Sequence, residues 1–212
     1  MFEELTDRAH QDFDARHQVR ENALKQTRKL TRFAANAIRA IHRGERDTAE
    51  ENMKQAETIV SGLLESLHDF PEFYFSGYTQ DSLKEFVEAR LTINLLENEP
   101  LLMPEDLRVE YSTYLRGMAE TIGEMRRRCL DILRQGYSDE AERLLDMMDE
   151  IYAILVTIDY PDAITYGLRR QTDLVRGIIE RTRADLTMSL REQHMQQALK
   201  DFEKRINSNG AG

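Results

Sequence analysis

Apolar residues recur along this chain at the three- and four-residue spacing of an α-helix, and no segment alternates in the two-residue rhythm of a strand. Near the N-terminus, Val19, Ala23, Leu30, Phe33, Ala37 and Ile41 share one helical stripe, and further on Leu115, Met118, Ile122, Met125 and Cys129 share another. Each stripe is the face a helix buries against its neighbours. Breakers divide the pattern. Pro71, Pro100, Pro104 and Pro161 stand at plausible helix boundaries and leave long proline-free stretches between them. Gly44 and Gly136 are placed to end helices, and Asp47 and Ser138 to cap the next ones. The pattern predicts helices over 3–43, 47–68, 71–98, 104–135, 138–158 and 163–204, an all-α bundle of six to seven helices. The expected organisation is one helical domain over 1–204 and a flexible C-terminal tail over 205–212, with NSNGAG frayed. No internal repeat is evident.

Composition fits long helices with a heavily charged surface: of 212 residues, 41% are hydrophobic and 32% charged, with ten Gly and no Trp. The single cysteine, Cys129, has no partner for an intrachain disulfide, and MFEELTDRAH lacks the basic and apolar regions of a signal peptide. The longest apolar run, Ile151 to Ile158, falls far short of the roughly 20 residues needed to cross a bilayer. A cytoplasmic protein with no membrane partner is expected.

A net charge of −10 argues at first against a phosphate-rich partner, but the charge is unevenly spread. From Arg16 to Arg43 the chain carries Arg16, Arg20, Lys25, Arg28, Lys29, Arg32, Arg39 and Arg43 against the single acid Glu21, a local balance of +7. Lys25, Arg28, Lys29, Arg32, Asn36, Arg39 and Arg43 lie opposite the apolar stripe, as a ribbon about 27 Å long at the helical rise per residue. Such a ribbon repels itself. Its compensation is carboxylates from other helices, another chain or a phosphate backbone, and the lack of acids three or four residues on from Lys25, Arg28, Lys29, Arg32 and Arg39 favours the phosphates.

Two carboxylate pairs stand out. Glu85 and Glu88 are one helical turn apart, near Asp81 and Thr92, with Ala89, Leu95 and Leu96 flanking them, so burying them is costly unless a cation or donor is present. Glu120 and Glu124 form an i, i+4 pair opposite the second apolar stripe. Carboxylate pairs on two helices are one way to build a metal site in a helical bundle; the alternative is plain solvated glutamates. The histidines, His10, His17, His42, His68 and His194, lie on neither acidic segment. An all-oxygen site suits Mg2+ or Mn2+ rather than zinc or iron.

Other residues read as structure. Cys129 is on an apolar stripe, and Met147, Met148, Tyr111, Tyr114 and Tyr152 read as packing, although tyrosines also stack on bases. Arg126, Arg127 and Arg128 spread around their helix, so one or two at most face any single site.

The order of these features resembles the translin superfamily, and within it archaeal relatives of translin-associated factor X (Trax). The resemblance rests on the basic first helix, EFVEA (Glu85 to Ala89), YLRGMAETIGEMRRRC (Tyr114 to Cys129) and GLRRQTDL (Gly167 to Leu174), and spans about residues 16–190. It implies a seven-helix fold that assembles into a hollow octameric barrel, binds single-stranded RNA and DNA and, in the Trax branch, cuts RNA with Mg2+. The family's catalytic acids match Glu85, Glu88, Glu120 and Glu124, which would be both metal ligands and catalytic residues here. One departure concerns the third acid, usually Asp, which is Glu120 in this chain and one methylene longer. Translin itself lacks the complete set, so retention of all four points to the catalytic branch. The face bearing Glu120 and Glu124, open to water on an isolated chain, would line the interior of a closed barrel.

The sequence therefore leads to a Mg2+-dependent endoribonuclease, with Mn2+ as the alternative ion, acting on single-stranded or partly duplexed RNA and extending to single-stranded DNA. Arg20, Lys25, Arg28, Lys29, Arg32, Arg39 and Arg43 would track the strand. The rivals are a non-catalytic single-strand-binding translin-like protein and an all-α nucleoside-triphosphate pyrophosphohydrolase.

Overall fold

Along this chain, prolines open single helical turns, and left-handed residues close two of them. The structure, a computed structural model, describes residues 1–209, and among these there are nine helices and no strand. Six are long: α1 (Phe2–His42), α2 (Arg46–Ser66), α4 (Gly77–Leu96), α6 (Tyr111–Leu133), α7 (Asp139–Leu155) and α9 (Leu168–Asn209). The others, α3 (Pro71–Tyr74), α5 (Pro104–Leu107) and α8 (Asp162–Thr165), are single turns.

These single turns correct the expected helices 71–98, 104–135 and 163–204, each of which breaks after its first turn. Pro71 and Pro104 stand at the starts of α3 and α5, where a missing N–H costs nothing. Helix propagation then stops. Ser76 is extended at φ −67°, ψ 149°, while Arg108 and Tyr166 adopt left-handed φ values of 57° and 51° that a right-handed helix does not continue through. Gly44 (φ 73°) and Gly136 (φ 116°) follow helix ends as anticipated, and the Ser138 hydroxyl accepts the Glu140 N–H at 3.2 Å. Asp47 is not a cap. Helix α2 begins with Glu45 as its N-cap, so Asp47 lies in the first turn, where its charge still suits the helix dipole. Helix α9 runs through Asn209, so residues 205–209 continue the helix; the rest of the expected tail, 210–212, lies outside the described residues. No helix among the described residues is long and apolar enough to cross a membrane.

The chain divides into two compact units, one of residues Met1–Met118 and one from Ala119 onward, with the boundary inside α6. In the first unit α1 packs against α2 and α4 through Ala23, Thr27, Leu30, Ala34, Ala37, Ala40 and Ile41. Four alanines on that face keep the helices close. Helix α4 is buried nearly all round: Leu83, Phe86, Val87, Leu91, Ile93 and Leu95 are all at most 1% exposed, each contributing about 1.5–3 kcal/mol by leaving water. Its one buried cation, Arg90, is held by Glu50 at 3.0 Å and Glu57 at 2.8 Å. In the second unit α7 packs along α9, with Leu144, Met148, Ile151 and Leu155 buried on one helix and Val175, Ile179 and Leu186 on the other.

Gly117 sets how closely α6 approaches α4. A Cβ at this position would stand 2.7 Å from Val87 Cγ1 and 2.9 Å from the Lys84 carbonyl oxygen, closer than atoms tolerate. Gly117→Ala is therefore expected to cost about 1–3 kcal/mol in urea unfolding. Gly62→Ala on α2, where a Cβ meets nothing within 4 Å, should instead stabilise by roughly 1 kcal/mol through helix propensity. Equal stability of the two variants would show that α6 does not touch α4 at this glycine.

Candidate functional site

The basic ribbon of α1 splits into a compensated rim and an uncompensated middle. At its ends Arg16 meets Asp12 and Glu72, Arg20 meets Glu21 at 2.8 Å, and Arg43 meets Glu45 at 2.6 Å. Arg39 donates to Asn36 at 2.5 Å. Between them Lys25, Arg28, Lys29 and Arg32 form no ion pair among the described residues, and only Arg32 has an aromatic partner, the Phe33 ring 5.3 Å away. Lys25, Arg28 and Arg32 are exposed and Lys29 is half-buried. Carboxylates of α1 itself, of α3 and of the turn into α2 thus neutralise the flanks but not this central stretch.

On α4, Asp81, Glu85 and Glu88 follow one another at helical spacing along a strip that is not sealed into the core, and Thr92 continues the line into it. Glu85 and Glu88 are half-buried, as the apolar residues around them implied. Asp81 is held from α6 by Arg116 at 2.8 Å, and the Thr113 hydroxyl of α6 donates to Gln80 at 2.5 Å. Thr92 is fully buried, and its hydroxyl has no hydrogen-bond partner, unlike Thr58, Thr172 and Thr182, which bond back to carbonyls one turn earlier.

On the second-unit part of α6, Met125, Ile122 and Cys129 are buried, so Glu120 and Glu124 fall on the opposite, half-buried face. Glu124 takes an ion pair from Arg127 at 3.4 Å, and Glu120 accepts from the Gln171 amide of α9 at 3.1 Å. The other two arginines of the run turn away: Arg126 to Thr182 and Asp185 at 2.9 and 2.8 Å, Arg128 to Glu140 at 2.9 Å. Nothing in the sequence pattern singled out Gln171, because its contact joins residues 51 positions apart.

Carboxylates are hard oxygen ligands, and two buried polar atoms next to the acids, Thr92 Oγ1 on α4 and Gln171 Oε1 beside Glu120, lack protein partners. Each pair supplies two carboxylates. Among the described residues no group of three or more His, Cys, Asp or Glu side chains is arranged to hold a metal ion.

No family model matches the chain. An uncharacterized protein of Methanocaldococcus jannaschii is 33% identical over 184 residues, which is 86% of this chain and 81% of that protein. Among solved structures, AfC3PO in complex with duplex RNA is 33% identical with a TM-score of 0.78, over 89% of this chain and 95% of that one. AfC3PO alone is 32% identical at the same TM-score, over 89% and 97% of the two chains. Apo-NeC3PO, at 21% identity and TM-score 0.78 over 87% and 96%, shares the fold. These likenesses define the class, an all-helical translin-type fold. The chain belongs to the translin superfamily as a Trax-like protein.

Cys129 plays no nucleophilic part. It is fully buried with its Sγ 3.8 Å from the Ala141 carbonyl, and burial pushes its thiol up to about 11. At pH 8 only about one molecule in a thousand would carry the thiolate. Thiol labelling of the native protein at pH 8 should be at least about 100-fold slower than in denaturant; comparable rates would mean that the α6–α7 core opens.

Proposed function

We propose that this protein is a Mg2+-dependent endoribonuclease that binds single-stranded or partly duplexed RNA, and single-stranded DNA, as a homo-octameric barrel. The observation that carries the reading is the stretch of α1 cations with no carboxylate to neutralise them, in a chain one-third identical to a protein solved with duplex RNA. A row of unpaired cations on one helical face is a fit for successive phosphates, and it overrides the net charge of −10 because phosphates sense the nearest charges within a Debye length. Arg20, Arg39 and Arg43 extend the track at its ends by exchanging their present partners for phosphate.

Glu85, Glu88, Glu120 and Glu124 would hold the ion. When bound, Mg2+ supplies a water of lowered pKa and stabilises the charge that develops on the phosphate. The half-buried setting of the four acids keeps them partly dehydrated, which strengthens their hold on a cation. Arg127 beside Glu124 neutralises that carboxylate in the absence of the ion.

Assembly is supported by large apolar side chains left in water: Phe2, Leu5 and Phe13 on α1 and Met195, Leu199, Phe202 and Ile206 on α9 are 54–78% exposed. A second reading, RNA binding without cleavage, is favoured by the lack of a three-acid cluster among the described residues.

Incubation of labelled RNA with the pure protein, with Mg2+ and then with EDTA, separates the two readings, and a solution mass measurement on the same sample tests the octamer. Glu124→Gln should lower cleavage by at least about 100-fold with RNA affinity unchanged; undiminished cleavage would remove Glu124 from the site. Arg28→Glu with Arg32→Glu should weaken binding and reduce the slope of log affinity against log salt by roughly 2. An unaltered slope would take the ribbon off the binding surface.

A further inference from the structure

Helix α1 has 41 residues while α2 and α4, against which it packs, have 21 and 20, and its first buried residue is Ala23. About 30 Å of helix therefore precedes the packed part. A helix of that length without tertiary support is marginal in water. Its apolar side chains form a pattern: Phe2, Leu5, Ala9 and Phe13 recur at the three- and four-residue steps of one stripe, and Phe2, Leu5 and Phe13 are all at least 64% exposed. The segment around them is acidic. Glu3, Glu4, Asp7, Asp12 and Asp14 stand against the single cation Arg8, a net charge of −4 over residues 2–14 with His10 neutral. Glu4 is paired with Arg8 and Asp12 with Arg16, whereas Glu3, Asp7 and Asp14 form no ion pair among the described residues. These three acids share a line about a third of a turn round the helix from Phe2.

The second unit carries a surface of complementary character. A groove of about 650 Å³ runs between the end of α6 and the middle of α9, lined by Leu130, Leu133, Met188 and Met195 together with Arg134 and Arg191. Both arginines are exposed and form no ion pair among the described residues. The acids of the lining are already engaged, Asp185 by Arg126 at 2.8 Å and Glu192 by the Gln196 amide at 3.3 Å. The uncompensated charge at this groove is thus positive, beside apolar side chains that stand in water.

An amphipathic helix with anchors three, four and seven residues apart is the shape that an apolar groove accepts. We propose that the α6–α9 groove of one copy of this chain receives the acidic N-terminal end of α1 from a second copy. The Phe2 to Phe13 stripe lies on the leucines and methionines, and the unpaired acids of α1 meet Arg134 and Arg191. Charge selects this occupant over the exposed end of α9 from a second copy. Residues 195–209 carry Lys200, Lys204 and Arg205 against Asp201 and Glu203, so they bring no acid excess to the arginines. Such a contact joins two different surfaces, and copies linked in this way continue until the last groove meets the first helix and a ring closes. The inference rests on the self-assembly in the proposed function and names one of its contacts.

The test measures solution mass against concentration for the full chain. It compares wild type, an α1 variant (Leu5→Asp with Phe13→Asp) and a groove variant (Met188→Asp with Met195→Asp), all at exposed positions and each confirmed helical by circular dichroism. In either variant the concentration at which the assembly dissociates should rise on the order of 30-fold or more, as loss of an apolar anchor does. An equal mixture of the two should form a larger species than either alone, because the intact α1 of one meets the intact groove of the other. Arg134→Glu with Arg191→Glu should also weaken assembly, and adding Asp7→Arg with Asp14→Arg to the same chain should restore it. A weakened groove variant beside an unaffected α1 variant would overturn the proposal and give the groove to another part of the second copy. No recovery in the mixture and none by charge exchange would overturn it as well. A wild type that assembles, with both variants unchanged, overturns this contact alone, whereas a monomeric wild type overturns the assembly reading with it.

Discussion

The burial of α4 is the constraint on which the first unit depends. A helix sealed on nearly every side must bring each polar side chain a partner or leave it open along one strip, and α4 does both. Arg90 is enclosed by Glu50 and Glu57, Gln80 is bonded by Thr113, and Asn94 donates to the Pro100 carbonyl at 2.6 Å. The line of Asp81, Glu85 and Glu88 stays partly open, with the unpartnered Thr92 hydroxyl at its end. Removing one partner of a buried ion pair such as that of Arg90 leaves an uncompensated charge, so these contacts specify the helix register more than they add stability.

Charge in this protein is organised by position rather than by total. Many of the arginines are spent in local pairs with carboxylates, several of them exposed and each worth roughly 0–1 kcal/mol at most. The central cations of α1 are left out of that pairing. An unpaired row at close spacing raises the energy of the free protein slightly through self-repulsion. On the acidic face of α6, by contrast, partners are already in place, Gln171 on Glu120 and Arg127 on Glu124.

What was legible in the sequence was what recurs at short range. The α1 stripe was readable at Ala23, Leu30, Ala37 and Ile41, all buried, while Phe33 and Val19 lie half-buried because α1 meets its neighbours over a narrower face than the stripe suggested. The Met118 to Cys129 stripe was readable for the same reason. The single turns α3, α5 and α8 were not, because a proline marks a helix start without saying how far the helix runs. The stops at Arg108 and Tyr166 occur at residues with no intrinsic preference for left-handed backbone.

By itself, the sequence determined the helical class, the buried faces, the basic ribbon and the i, i+3 and i, i+4 spacing of the glutamates, since all of these follow from the 3.6-residue period of one helix. Only the tertiary structure decided which cations remain unpaired, where Gly117 lets α6 touch Val87, and that Gln171 reaches Glu120 across 51 residues of chain. Those outcomes depend on how separate helices pack, and side chains distant in sequence carry no periodic signal of one another until packing brings them within a few ångströms.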